Sequence, residues 1–111
     1  MAKELKSIIT DYLDICAICG RSRSDIHHCL EGTAKRRLSD EDNLLLPLCI
    51  SHHNQSRLSV HQNKEMKVLC HIIGELAWER EYLADRLEKY EPNGKEESKE
   101  AFRRRYGQNY I

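Results

Sequence analysis

The chain has 111 residues, with 18 lysines and arginines balanced by 18 aspartates and glutamates, and 40% of it is hydrophobic. That length bounds it to one domain, near the size at which a metal or a partner commonly supports a small core. No apolar run approaches the roughly 18 residues that a membrane span requires, so a soluble protein is expected. The opening MAKELKSIIT lacks the apolar core and small-residue cleavage site of a secretory leader, which leads us to expect a cytoplasmic protein. There, the five cysteines are expected as thiols or metal ligands rather than disulfides. Zero net charge gives no overall positive field for nucleic acid, although Lys35-Arg36-Arg37 and Arg103-Arg104-Arg105 form local basic clusters.

In chain order, Leu5, Ile8, Ile9, Tyr12 and Leu13 recur at helical spacing and predict an N-terminal helix over 3–13. From 15 to 50, Gly20, Gly32 and polar residues interrupt short apolar pieces, DIHHCL and NLLLPLCI, a pattern that suits a small irregular unit with two short strands. Pro47 cannot donate to a ladder, so the second strand must be short or lie at an edge. Met66, Leu69, Ile73, Leu76, Ala77, Leu83, Leu87 and Tyr90 predict the longest helix, over 63–90. Gly74 inside it costs about 1 kcal/mol relative to Ala and marks a site of bending or breaking. The stretch EPNG then turns the chain. Residues 95–106 carry Glu early and Arg late, as the helix dipole favours, with Gly107 placed as a cap. The apolar face of 66–90 is expected to cover the unit before it; a dimer interface is the alternative, so monomer and dimer stay open.

The residues able to hold a soft divalent metal are concentrated between positions 16 and 61. Cys16-Ala17-Ile18-Cys19 followed by Gly20 has the spacing of a zinc knuckle, in which a tight turn points both thiolates at one ion. Cys49 and His52 repeat the two-residue gap, and two such pairs are far more specific than one. A structural zinc held by Cys16, Cys19, Cys49 and His52 follows, although Cys49 with His53 is also feasible because gaps of two to four occur in zinc pairs. A redox role for the CxxC would need a parallel βαβ context that the sequence lacks. Cys29, Cys70 and His71 read as packing or surface residues.

The segment from Cys16 to His61, with His27-His28 in a strand, Asn43 in DEDNLLLPLC and then Cys49-x-x-His52-His53, resembles the HNH endonuclease superfamily and its ββα-metal fold. Within it, the pieces CAICG, DIHHCLEGTAKRRLS, LLPLC, HHNQS and SVH are most similar to short nuclease-like proteins of phages and prophages, some related to the phage recombination enhancement nuclease. The resemblance implies His28 as general base and His27 as a ligand of the catalytic cation. Adjacent strand residues point to opposite sides, which fits separate duties without saying which has which. It further implies Asn43 as a catalytic-site residue that ties the loop and aims the base, with His53 as second cation ligand. The family often places a third ligand where Arg57 stands here; His61 is the better chemical candidate, and Asn54 or a water are the alternatives. Lys35, Arg36, Arg37 and Arg57 are candidate DNA contacts, with exposed charge the equal alternative.

The expected architecture is α+β: a zinc-stabilised, treble-clef-like ββα-metal core over 15–62, an N-terminal helix before it, and a helical C-terminal extension over 63–111. The expected activity is metal-dependent hydrolysis of DNA phosphodiester bonds with one cation, either Mg, Mn, Zn or Ni. DNA is the implied partner, with a recombination or replication protein as a further candidate, and the cytoplasm is that of a bacterial host if the origin is a phage. A non-catalytic zinc-stabilised DNA- or protein-binding module is the main competing reading, and two structural zincs without an open position a third. A single zinc site leaves His27, His28, His53 and His61 unexplained, whereas a nuclease uses them all.

Overall fold

The structure, a computed structural model, describes residues 5–55, 57, 59–86 and 94–111. Its order is strand β1 (Asp25–His28), helix α1 (Thr33–Glu41), strand β2 (Leu45–Leu48), a π-helical turn (Ser51–Gln55), helix α2 (Lys64–Arg86) and helix α3 (Gly94–Tyr106). The protein is therefore α+β, with one two-stranded antiparallel sheet among the described residues. Its register sets His27 opposite Leu46 and His28 opposite Leu45. Alternation along β1 buries His27 while His28 stays half-buried. Pro47 lies within β2, where a two-stranded ribbon has a free edge that needs no donor; its carbonyl accepts from Ala17 N–H at 2.9 Å. Among the described residues, no helix is long and apolar enough to cross a membrane.

The expected N-terminal helix does not form at residues 5–13, and residues 3 and 4 lie outside the described part. The backbone groups there bond elsewhere. Ile8 N–H donates to Asn43 O at 3.0 Å, Ser7 Oγ donates to Leu45 O at 2.6 Å and accepts from Ile9 N–H at 3.0 Å. A serine that offers local side-chain bonds competes with the helical ladder, and a helix of this length is marginal alone. Ile8 and Ile9 still pack on the core, so their spacing reports burial without helix. Conversely, α1 was not foreseen in the connection between the strands. Only Ser39 of it is fully buried, so it has no apolar stripe for a periodicity to detect.

Helix α2 runs through Gly74 unbroken. A Cβ at that position would lie 3.1 Å from Cys29 Cβ, so glycine lets α2 approach the end of β1 closely. The face of α2 that covers the core carries Cys70, Gly74 and Ala77, whereas Leu69, Ile73 and Leu76 of the predicted apolar stripe are exposed on another face, so the stripe that signalled the helix is not the surface that covers the unit before it. The predicted end of this helix at 87–90 and the turn at 91–93 fall outside the described residues. Helix α3 packs through Phe102 and Tyr106, with Phe102 edge-on to Trp78 at 5.5 Å, and Gly107 N–H closes it on Arg103 O at 2.7 Å. The C-terminal residues then return to α2, where buried Glu75 accepts from Asn109 Nδ2 at 2.9 Å and from Tyr110 N–H.

Next to Glu75, Glu79 accepts from Ser98 Oγ at 2.7 Å. Burial first, and then the neighbouring Glu75 carboxylate, push the Glu79 carboxyl up to about 7. Between the ordinary carboxylate range and pH 7 the folded chain then binds a proton that the unfolded chain does not, so stability falls as pH rises across that window and levels above it. Urea unfolding from pH 4.5 to pH 8 should show that decline, and Glu79→Gln should flatten it.

Candidate functional site

The Cys16–Cys19 turn is a narrow hairpin. Cys16 N–H donates to Arg21 O at 2.6 Å, Arg23 N–H to Asp14 O at 2.9 Å, and Gly20 N–H back to Cys16 O at 2.9 Å. Gly20 has φ of 78°, a left-handed value that a side chain would strain. Two bonds lash this hairpin to β2, Ala17 N–H to Pro47 O and Ser24 N–H to Leu48 O, both 2.9 Å. The turn is thereby held against Cys49, which directly follows β2.

At this junction four donors converge. The sulfurs of Cys16, Cys19 and Cys49 and a nitrogen of His52 lie within 4.8 Å of one another. Cys19 Sγ is 3.7 Å from Cys49 Sγ, and His52 Nδ1 is 3.3 Å from Cys49 Sγ and 3.6 Å from Cys16 Sγ. Zinc–sulfur bonds of about 2.3 Å and zinc–nitrogen bonds of about 2.0 Å give tetrahedral edges of roughly 3.8 Å between sulfurs and roughly 3.5 Å from sulfur to nitrogen. The donor set and its spacing fit such an ion, and Cys16, Cys19, Cys49 and His52 form a group able to bind a metal such as zinc. Burial disfavours the Cys16 thiolate, but the backbone N–H groups of Cys49, Cys19 and Ile18 and the His52 ring outweigh it and bring its pKa down to about 6. The Arg21 N–H favours the Cys19 thiolate, yet desolvation and the adjacent Cys49 and Cys16 sulfurs raise its pKa above the ordinary value. A cation removes that sulfur–sulfur opposition.

One residue further, the chain serves a second group. His53 N–H donates to Cys49 O at 2.9 Å within the π-helical turn, and the returning strand of chain pairs Val60 N–H with His52 O at 2.8 Å and His61 N–H with His53 O at 3.3 Å. This pairing sets His61 beside His53 despite the interval between them. With His27 from β1, nitrogens of these histidines also lie within 4.8 Å of one another, and His53 Nε2 is 3.0 Å from His61 Nε2. His53 Nδ1 donates to Asp25 Oδ2 at 3.2 Å, a tautomer that leaves the Nε2 lone pair facing the group. His27 is buried, its Nε2 has no hydrogen-bond partner, and desolvation together with the positive charge that His61 and His53 would carry drives its pKa down to about 3. Its imidazole is neutral and its lone pair free for a cation.

These rings line a cleft of about 330 Å³ with Ile26, His28, Glu31, Gly32 and Arg36. His28 belongs to neither donor group; its Nε2 is 3.7 Å from Asp40 Oδ1. Burial and then Arg36 lower its pKa, against the opposing pull of Asp40, so it is a neutral ring at neutral pH. Asn43 sits where α1 hands over to β2, at φ of 58°, with its carbonyl accepting from Ile8 and its buried Oδ1 unpartnered.

The basic candidates separate. Arg36 borders the cleft, Arg37 is exposed and 3.9 Å from Glu41, and Lys35 donates to Tyr110 Oη at 3.1 Å. Arg57 is exposed outside the cleft, its carbonyl accepting from Asn63 Nδ2, and the Asn54 side chain lies outside the described residues. Cys29 and Cys70 are buried with thiol pKa values raised by burial, as packing residues are. Sequence reasoning missed the carboxylates Asp25, Glu31 and Asp40. Asp25 had a usable signal, since it lies two residues before His27 and so on the same side of a strand.

Because His52 and His53 serve different groups, His52→Ala should lose about one zinc per chain and lower stability by roughly 3 kcal/mol or more, the scale set by structural zinc in small domains. His53→Ala should keep that zinc. Metal content by mass spectrometry and unfolding in denaturant check both, and chelator treatment of the unaltered protein should reproduce the first. No family model, curated protein or solved structure matches this chain.

Proposed function

We propose that the chain is a metal-dependent DNA endonuclease built on a zinc-stabilised ββα-metal unit of the HNH kind, hydrolysing phosphodiester bonds with one catalytic divalent cation. The observation that carries this reading is the position of His28: an imidazole paired with Asp40 and bordering the same cleft as the His27, His53 and His61 nitrogens, yet part of neither donor group. A protein that used metal only to hold its fold would need no carboxylate-paired imidazole beside those nitrogens.

In this reading His27, His53 and His61 hold the cation, and His28 takes a proton from the attacking water. The cation, when bound, supplies positive charge beside the oxygens that gain negative charge during hydrolysis. Asp40, 3.7 Å from His28 Nε2, holds the imidazole on its axis and stabilises the protonated ring once it forms. Arg36 at the cleft contributes a fixed guanidinium to the substrate phosphate. Asp25 steers His53, and the thiolate site anchors the turn from which His53 projects. Asn43 acts through the backbone, fixing the start of β2 opposite His28.

Removing a general base typically lowers a rate by about 10²–10⁴-fold. With Mn or Mg supplied, His28→Ala should lose cleavage of single- or double-stranded DNA by that factor while binding the DNA as the unaltered protein does. Absence of cleavage in the unaltered protein, with His28→Ala binding DNA equally well, would leave the non-catalytic binding module as the better reading.

A further inference from the structure

Helix α2 carries an apolar seam that the single chain leaves uncovered. Leu69 is 50% exposed, Ile73 38% and Leu76 53%, on a face other than that of Cys70, Gly74 and Ala77. Helix α3 packs elsewhere on α2, through Trp78 and Glu79. Large aliphatic side chains in one line differ from apolar residues scattered singly over a surface, and such a patch marks a place that another body covers. The spacing says what kind of body. From Met66 to Tyr90 the residues of the seam succeed one another at alternating intervals of three and four, Arg80 alone among them being charged. A stripe that lies on a globular core widens around the helix, whereas a strict 3.5-residue repeat keeps a narrow line facing one partner helix.

Two charged side chains say which helix, and in which direction. The Arg80 side chain is 63% exposed, and Glu65 is exposed one turn before Leu69. Within the chain Arg80 reaches only Ile8 O and, at 3.3 Å, the adjacent Glu81 carboxylate, an exposed contact that contributes little. Two copies laid parallel would set Arg80 level with Arg80, like charges inside the seam. Laid antiparallel about a twofold axis between Ile73 and Leu76, each Ile73 meets Leu76 of the second copy. Each Arg80 then comes level with the second copy's Leu69 and within a turn of its Glu65, so one opposite-charge pair forms at either end. We propose that this seam is the interface of an antiparallel homodimer, closed by reciprocal Arg80–Glu65 pairs. A seam this short is toward the small end of specific interfaces, which cover roughly 800 Å² per partner, so the dimer is a reversible one.

The test is sedimentation equilibrium of the full chain, in reducing buffer with zinc, from micromolar to millimolar concentration. The mass of the unaltered protein should rise from monomer to dimer. Leu76→Glu should abolish the rise while zinc content and helical circular dichroism stay unchanged. Glu65→Arg and Arg80→Glu should each raise the dimer Kd about tenfold, because the pair occurs twice, and the two changes together should restore it. A chain that stays monomeric throughout, or a dimer that Leu76→Glu leaves intact, would overturn the seam as an interface between copies. A double variant as weak as either single one would overturn the antiparallel register.

Discussion

Cys19 and Cys49 bring their sulfur atoms to 3.7 Å across 30 residues of sequence, and most of the remaining architecture depends on what makes that approach tolerable. As thiolates the two repel; as thiols they satisfy little of each other's bonding. A dication between them, with Cys16 and His52 completing the tetrahedron, would turn the opposition into coordination bonds. The sheet consists of two four-residue strands, and among the described residues no second sheet packs on it; Leu44, Leu46 and Leu48 join the core instead. A small domain with so short a ladder is the situation in which a metal carries folding energy that the core alone does not supply.

The same constraint positions the histidine cleft. His52 and His53 are neighbours in one π-helical turn, and such a turn separates successive side chains by about 100° or less, so one ring can face the thiolates while the next faces the cleft. Holding His52 therefore orients His53. The backbone pairing of 60–61 with 52–53 extends that control to His61, and the Ser39 bonds to Leu30 extend it from α1 to the end of β1. The donors of the cleft stand on segments tied to the thiolate site or to the sheet, and the long α2–α3 pair closes the core behind them.

How much of this could be read from sequence depended on whether a residue's partners lie close in the chain or announce themselves by type. The cysteine pairs did both, because thiolate spacing of two is set by the geometry of a tight turn, and the structure draws those same four residues together. The long helix was legible because an apolar stripe on one face is a repeated signal. The N-terminal segment misled for the same reason in reverse: Ile8 and Ile9 are buried by contacts with distant residues, so their spacing carried no information about local backbone. Helix α1 was hidden because it is polar almost throughout and is held at one buried point, Ser39. Glu31 and Asp40 were illegible for a different reason: a carboxylate acquires meaning only from the imidazole it faces, and of the three acids Asp25 alone, on the same side of its strand as His27, carried a signal in the sequence.

Those acids also bear on the absence of net charge. Asp25, Glu31 and Asp40 each lie within 4 Å of an imidazole nitrogen, so each of these carboxylates is set against a ring at or beside the cleft. The lining of the cleft carries one carboxylate, Glu31, and one guanidinium, Arg36, so a dication among the histidines would leave it positive. In the proposed nuclease, attraction of a phosphodiester would then come with the metal rather than from a permanent basic surface, and neutrality of the whole chain is no obstacle to it. The long-range term that dominates ordinary non-specific binding is small for a neutral chain, so under that proposal affinity for a phosphodiester would depend on the cation more steeply than on the basic residues at 35–37.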